Sequence, residues 1–125
     1  MLVTIIDQTI SGETKNQIKV DLNESVTAED IIKARVTQEV ENYNSRAANV
    51  FKGLVQPTNR EQQLNDKKFK PIDVEKQVYV ALDAFQKNGF FILVNDHQLS
   101  EIDEKVTINE NTEISFVKLT PLVGG

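Results

Sequence analysis

The apolar and polar positions near the start of the chain predict two strands. Residues 2–7 (LVTIID) are rich in β-forming side chains. Residues 17–22 (QIKVDL) alternate apolar and polar side chains, which is typical of a strand with one buried and one wet face. Ser11-Gly12 is a turn signal between them. The pattern predicts an antiparallel hairpin with a moderately long loop.

The next segment changes from a two-residue to a helical period. Thr27 is suited to cap the free N–H groups of a helix, and Asp30 stands three residues later at the capping-box position. One apolar stripe follows at helical spacing, formed by Ile32, Val36, Val40 and Tyr43. We therefore predict a first helix from this point, which Ala47, Phe51 and Leu54 would prolong.

A second helix is predicted over residues 73–88, after a segment without periodicity. Residues 56–71 contain two prolines and predict a loop or an insertion. Asp73 is a good N-cap, and Gly89 is predicted as the left-handed residue that follows the helix. The predicted apolar face of this helix consists of Val74, Val78, Ala81, Leu82 and Phe85.

The remainder of the chain predicts strands joined by polar turns. Residues 90–94 (FFILV) are continuously apolar, which favours a strand at a central sheet position. A turn at Asn95-Asp96 leads to a meander, and residues 109–112 (NENT) form another turn before the last strand, EISFVKL. The order is β-β-α-insert-α-β-β-β, which predicts an α+β domain with helices on one face of the sheet. The first and last strands are expected side by side at the centre of the sheet.

Composition narrows the classes of function. The chain has 125 residues, so one domain spanning 1–125 is predicted, and its formal net charge is −5. An acidic surface argues against nucleic acid and against anionic membranes as partners. Cysteine is absent, which excludes a disulfide framework, a thiolate metal site and a cysteine nucleophile. No signal peptide or membrane span is evident, so a cytoplasmic location is expected.

The candidate catalytic and metal-binding residues favour ordinary structural roles. His97 lies in a predicted turn, and no nucleophile or orienting partner can be named for it. The acidic residues lack the spacing of a calcium site and are predicted to be a solvated face. These are Glu101, Asp103, Glu104 and Glu110. Phe85, Phe90 and Phe91 are predicted to be core. The chain is therefore not expected to be an enzyme, and no resident cofactor or metal is predicted.

The last eight residues, KLTPLVGG, are the most distinctive stretch of the sequence. They lead directly from the last strand into an apolar-proline-apolar tail, residues 120–125, that ends in Gly124 and Gly125. Leu119 and Leu122 are candidate partner contacts, and Phe116 is a weaker one, because each either packs inside or joins an exposed apolar patch.

Two stretches resemble ubiquitin-like β-grasp proteins. Residues 9–36 resemble their opening hairpin and helix, with the turn glycine, the alternating second strand and the capping threonine in matching order. Residues 90–125 resemble the end of the sulfur-carrier branch, which includes the small subunit of molybdopterin synthase and the thiamine-pathway carrier. Together they cover about half of the chain. The resemblance implies a β-grasp mixed sheet with a helix on one face, here enlarged by an insertion at about 46–75 and a second helix.

The resemblance also implies a chemistry. An E1-like enzyme would use ATP to adenylate the carboxylate of Gly125, and Gly124 would provide a slender, flexible approach. Pro121 would stiffen the exit from the strand, and Leu122 and Val123 would anchor the tail in an apolar groove. The chain would then be a substrate and carrier rather than a catalyst.

The sequence leaves three possible functions of the chain open. The first is a ubiquitin-like modifier that is conjugated to proteins, with an E2-like enzyme and a deconjugating peptidase as further partners. The second is a sulfur carrier with a C-terminal thiocarboxylate. The third is a β-grasp interaction module whose terminus is never activated. Leu122 and Val123 stand where ubiquitin has basic residues, which favours a bacterial or archaeal modifier of unassigned pathway.

Overall fold

The computed structural model describes residues 1–51 and 72–118 and shows an α+β arrangement. Seven strands and two helices follow one another in these residues. They are β1 (Leu2–Thr9), β2 (Thr14–Asp21), β3 (Ser25–Thr27), α1 (Ala28–Phe51), α2 (Val74–Gln86), β4 (Phe90–Val94), β5 (His97–Gln98), β6 (Lys105–Thr107) and β7 (Ile114–Lys118). The predicted α+β class and the predicted order of the longer elements are confirmed.

Five of the strands form one mixed sheet in the order β2-β1-β7-β4-β5. The first strand lies beside the last one in parallel, from Ile5 opposite Ile114 to Thr9 opposite Lys118. All other neighbours in this sheet are antiparallel. The expectation that the first and last strands lie side by side at the sheet centre is therefore confirmed.

The opening hairpin is tighter than its sequence indicates. β1 and β2 extend to Thr9 and from Thr14, so only four residues connect them instead of a moderately long loop. Gly12 adopts φ 90° in this connection, a conformation that favours glycine. The residues at the start of β2 are exposed and polar, so they lack the alternation that would have revealed the strand.

A reciprocal capping box begins α1. The Asp30 N–H donates to Thr27 Oγ1 at 3.1 Å, and the Thr27 N–H donates to Asp30 Oδ2 at 3.0 Å. The predicted start of the helix is thus confirmed. The helix continues to Phe51, through the polar residues after Tyr43. Asn44 in this part bonds both the N–H and the carbonyl of Ile72, so it ties the entry of α2 to α1.

The predicted second helix is also confirmed, except at its end. The carboxylate of Asp73 accepts from the N–H groups of Glu75 and Lys76. The left-handed residue after the helix is Asn88, with φ 61°, rather than Gly89. The Gly89 N–H donates to the carbonyl oxygen of Ala84 at 2.8 Å. A Cβ on Gly89 would lie 3.1 Å from the same oxygen. Glycine thus suits this position because its backbone approaches Ala84 closely, rather than because of a positive φ.

A small second sheet closes one end of the molecule. β3 and β6 pair antiparallel, with Val26 opposite Val106. The sequence analysis did not predict β3, because a three-residue strand is too short to show a period. The turns at Asn95-Asp96 and at residues 109–112 are confirmed. Asn95 and Asp96 both adopt positive φ, as a two-residue turn between β4 and β5 requires.

The hydrophobic core lies between the helices and one face of the large sheet. Its fully buried large side chains come from every layer: Ile5, Val20, Ile31, Ile32, Ile92, Leu99, Ile108 and Ile114. Of the predicted helix stripe, Ile32 and Val40 are buried, whereas Tyr43 is 49% exposed. Phe85 is buried, and Phe90 and Phe91 are half-buried.

Of the predicted insertion, residues 46–51 belong to α1, and residues 52–71 lie outside the described part. Neither helix in the described part is both long and apolar enough to cross a bilayer.

The capping box gives a first prediction. Replacing the capping hydroxyl by Thr27→Ala is expected to lower the free energy of unfolding by about 1 kcal/mol, because the Asp30 N–H loses its acceptor. Thr37→Ala is the matched control, since Thr37 lies inside the same helix and alanine has the higher helix propensity. Urea denaturation measures both. An equal effect of the two substitutions would show that the cap does not hold the helix start.

Candidate functional site

The last strand is held on both sides where the C-terminal tail begins. β7 pairs in parallel with β1 and antiparallel with β4, and its final residue, Lys118, stands opposite Thr9 and Phe90. A strand with a partner on each side is fixed by two ladders of backbone hydrogen bonds. At Lys118, the last described residue, β7 is thus an interior strand of the sheet rather than an edge strand.

The predicted tail residues follow this point. Leu119, Pro121, Leu122, Val123, Gly124 and Gly125 lie outside the described residues. Their predicted roles, as a partner-binding tail and an activated terminus, stay predictions.

The structure places Phe116 in the core instead of in a surface patch. Its side chain is 6% exposed. Its ring stacks on Phe90, with centroids 5.4 Å apart and an angle of 11° between planes. The strand alternation explains this position, because Ile114 and Phe116 point to the same side of the sheet, toward the helices. Phe116 is therefore not available for a surface contact.

A buried ion pair lies directly against Phe116. The guanidinium of Arg35 on α1 contacts the carboxylate of Asp7 on β1 through both Nη atoms. The Arg35 Nε donates to Glu39 Oε1 at 2.7 Å. The Arg35 Cζ lies 4.6 Å from the centroid of the Phe116 ring, within the range of a cation–π contact. The register puts Asp7 opposite Phe116, so this cluster joins β1, β7 and α1.

Electrostatics hold the Arg35 side chain in its charged form. Arg35 is 7% exposed and Asp7 is 8% exposed. Burial by itself would lower the pKa of Arg35. The hydrogen bonds to Asp7, with the negative charges of Glu39 and Asp7, outweigh that effect and raise the pKa above its ordinary value. Arg35 is therefore a fixed structural cation.

An open cavity of about 860 Å³ lies beside this ion pair. It is bordered by Asp7, Arg35 and Glu39, by Lys118 at the end of β7, and by Tyr43 and Arg46 on the second half of α1. Ile31 and Ile32, in the first half of α1, are fully buried, whereas Tyr43 and Arg46 beside the cavity are exposed. The volume is within the range of small-molecule sites.

His97 and Glu104 form a separate exposed pair at the other end of the sheet. His97 Nε2 lies 2.6 Å from Glu104 Oε2, and the Ser100 N–H donates to Glu104 Oε1 at 2.9 Å. These bonds, first the one from Ser100 and then the one from His97, hold the pKa of Glu104 below its usual range. His97 is exposed, as predicted. Within residues 1–51 and 72–118, no group of three or more His, Asp or Glu side chains could hold a metal ion.

Comparison with protein-family models, with curated proteins and with solved structures gave no match for the chain.

The buried ion pair predicts a large effect of removing one partner. Arg35→Met leaves the carboxylate of Asp7 buried without its cation, and we expect the free energy of unfolding to fall by about 3 kcal/mol. The double variant Asp7→Leu/Arg35→Met leaves no buried charge and is expected to recover a large part of that loss. Urea denaturation measures both variants.

Lys33→Met is the matched control for this prediction. Lys33 lies on the same helix and pairs with Glu29 at 3.5 Å, but both side chains are substantially exposed. Its replacement is expected to change stability by less than about 1 kcal/mol. A loss for Arg35→Met no larger than for Lys33→Met would contradict a structural role of the buried pair.

The lowered pKa of Glu104 predicts a pH dependence. Ionised Glu104 stabilises the fold fully above the ordinary glutamate pKa of about 4.3, and this contribution is lost as the pH falls through the lower pKa of the folded state. The stability difference between the native chain and Glu104→Gln is therefore expected to be constant near neutral pH and to shrink in acid. Side-chain NMR titration gives the pKa directly, and a value at or above that of an unfolded glutamate would contradict the assignment.

Proposed function

We propose that the chain is a ubiquitin-like β-grasp domain. The proposal is supported by the hairpin, the crossing helix α1 and the strand order β2-β1-β7-β4-β5, with the first and last strands parallel at the centre. Both helices lie against the same face of this sheet, through Ile31 and Ile32 on α1 and through Phe85 on α2. In this interpretation α2 and residues 52–71 are additions to the smaller carrier domains that the sequence resembles.

The proposed function is that of a protein modifier activated at Gly125 by an E1-like adenylating enzyme and conjugated to target proteins. The carboxylate of Gly125 would attack the α-phosphate of ATP and release pyrophosphate. The resulting acyl adenylate would then be attacked by a cysteine of the activating enzyme, with loss of AMP, which begins conjugation. The chain supplies the reacting carbonyl, and the partner supplies the catalysis.

One observation carries this proposal: β7 is paired on both sides as far as Lys118, and the diglycine tail, residues 120–125, follows soon after it in the sequence. A reactive terminus needs a scaffold that holds the rest of the domain still while the tail extends into a partner. The tail, residues 120–125, would span roughly 20–22 Å if it were fully extended. Such a length allows the terminus to enter a channel while the folded domain stays outside.

The tail residues suit the same function. Gly124 and Gly125 have no Cβ, so their backbone can pass a narrow channel and approach a nucleotide phosphate closely. Leu122 and Val123 would contact apolar surface of the activating enzyme. An attack by a sulfur donor instead of a cysteine would convert the same adenylate into a thiocarboxylate. Conjugation and sulfur delivery thus share their first step, and that step is the core of the proposal.

Deletion of Gly124 and Gly125 tests this first step. We expect the deletion to abolish ATP–pyrophosphate exchange by the candidate E1-like enzyme and to leave the fold unchanged, because the described core ends at Lys118. Thr120→Ala is the matched control in the same tail and is expected to retain exchange. NMR spectra of each variant verify folding. Exchange at the native rate after the deletion, or none with the native chain, would favour an interaction module that is never activated.

A further inference from the structure

The cavity beside Arg35 differs in charge from the rest of this acidic protein. The formal net charge of the chain is −5. Among the described residues, in contrast, the cavity is bordered by three cationic side chains, Arg35, Arg46 and Lys118, and by two carboxylates, Asp7 and Glu39. Both carboxylates are bonded to Arg35. The local balance is therefore positive, and a cavity with this balance attracts anions by charge alone.

Arg46 and Lys118 are the cations placed to meet a ligand. Both side chains are exposed and border the cavity from different elements, Arg46 on α1 and Lys118 at the end of β7. Arg35 is buried and donates three N–H groups to carboxylates. It therefore adds to the positive electrostatic potential of the cavity but does not contact a ligand directly. An arginine and a lysine facing one space are suited to a carboxylate or a phosphate group.

The remaining walls favour an anion with an apolar body. Ile18 and Ile72, both partly exposed, provide apolar surface, and Tyr43 provides a half-exposed aromatic ring. The amide side chains of Asn16 and Asn42 add donors and acceptors that can orient a polar substituent. The described lining is thus mixed, so it can contact both an apolar body and the polar substituents of a ligand.

We propose that this cavity binds a small organic anion, with its carboxylate or phosphate group between Arg46 and Lys118 and its apolar body against Ile18 and Tyr43. The residues named for this site all belong to the described part of the chain. It does not rest on activation of the terminus.

Titrations of the full ¹⁵N-labelled chain with phenyl phosphate, benzoate and inorganic phosphate test the proposal. We expect saturable shifts of backbone amides around the cavity, among them Asn16 and Asn42, with at least one organic anion. Binding of that anion is expected to be tighter than binding of inorganic phosphate. Phenyl phosphate and benzoate distinguish the two head groups. No saturable shift with either up to about 10 mM, far above a useful affinity, would overturn the proposal.

Replacing Arg46 or Lys118 tests whether these two side chains bind the anion. Arg46→Gln and Lys118→Gln are each expected to weaken binding about tenfold or more, which is the usual consequence of losing a hydrogen bond to a charged group. Lys105→Gln removes one positive charge on the separate β3–β6 sheet and is expected to leave binding unchanged. All three positions are exposed, so the variants should fold. Equal binding by the native chain and both cavity variants, or an equal loss with Lys105→Gln, would overturn the site.

Discussion

The parallel pairing of β1 with β7 is the constraint on which the rest of the structure depends. Parallel neighbours cannot be joined by a tight turn, so all the chain between these strands must form a crossover. Both helices and five of the seven described strands lie within it. The pairing also gives β7 a neighbour on each side as far as Lys118, the last described residue.

The same register positions the polar cluster inside the domain. Asp7 stands opposite Phe116, and the guanidinium of Arg35 on α1 contacts both side chains. A buried pair of this kind adds little net stability compared with apolar side chains of similar size, but losing one partner is costly. Because it joins the first strand, the last strand and α1, it favours one placement of the helix on the sheet. The cavity lies beside this pair and is bordered by Tyr43 and Arg46 of α1 and by Lys118.

Much of the fold was predictable because its signals are local. The Thr27–Asp30 capping box, the Asp73 cap and the turn at Asn95-Asp96 each depend on residues a few positions apart. The left-handed residue after α2 was placed at Gly89, but it is Asn88, since asparagine also tolerates positive φ. The position of Gly89 depends instead on how closely its backbone approaches Ala84, which the sequence does not show.

The features around the cavity were not predicted, because they depend on long-range pairing. Asp7 and Arg35 are 28 positions apart, and each resembles an ordinary surface charge when taken alone. The sequence nevertheless contains a pattern that indicates the Asp7–Arg35 pair. Asp7 continues the inward alternation of Val3 and Ile5, and Arg35 lies one helical turn after the buried Ile31 and Ile32. An inward charge on a strand and another on the facing helix suggest a pair. The alternation of Ile114 and Phe116 likewise indicated that Phe116 is core rather than surface.

Intact mass spectrometry of the protein isolated from its own cells tests the central claim most directly. If Gly125 is activated, the mature protein ends at Gly125, and the carbonyl carbon of this residue is bonded to a nitrogen of another protein or to sulfur. An isopeptide link to another protein would identify a modifier, and an oxygen-to-sulfur mass change on the C-terminal peptide would identify a sulfur carrier. A terminus that is always a free carboxylate, even after incubation with the candidate activating enzyme and ATP, would contradict activation at Gly125.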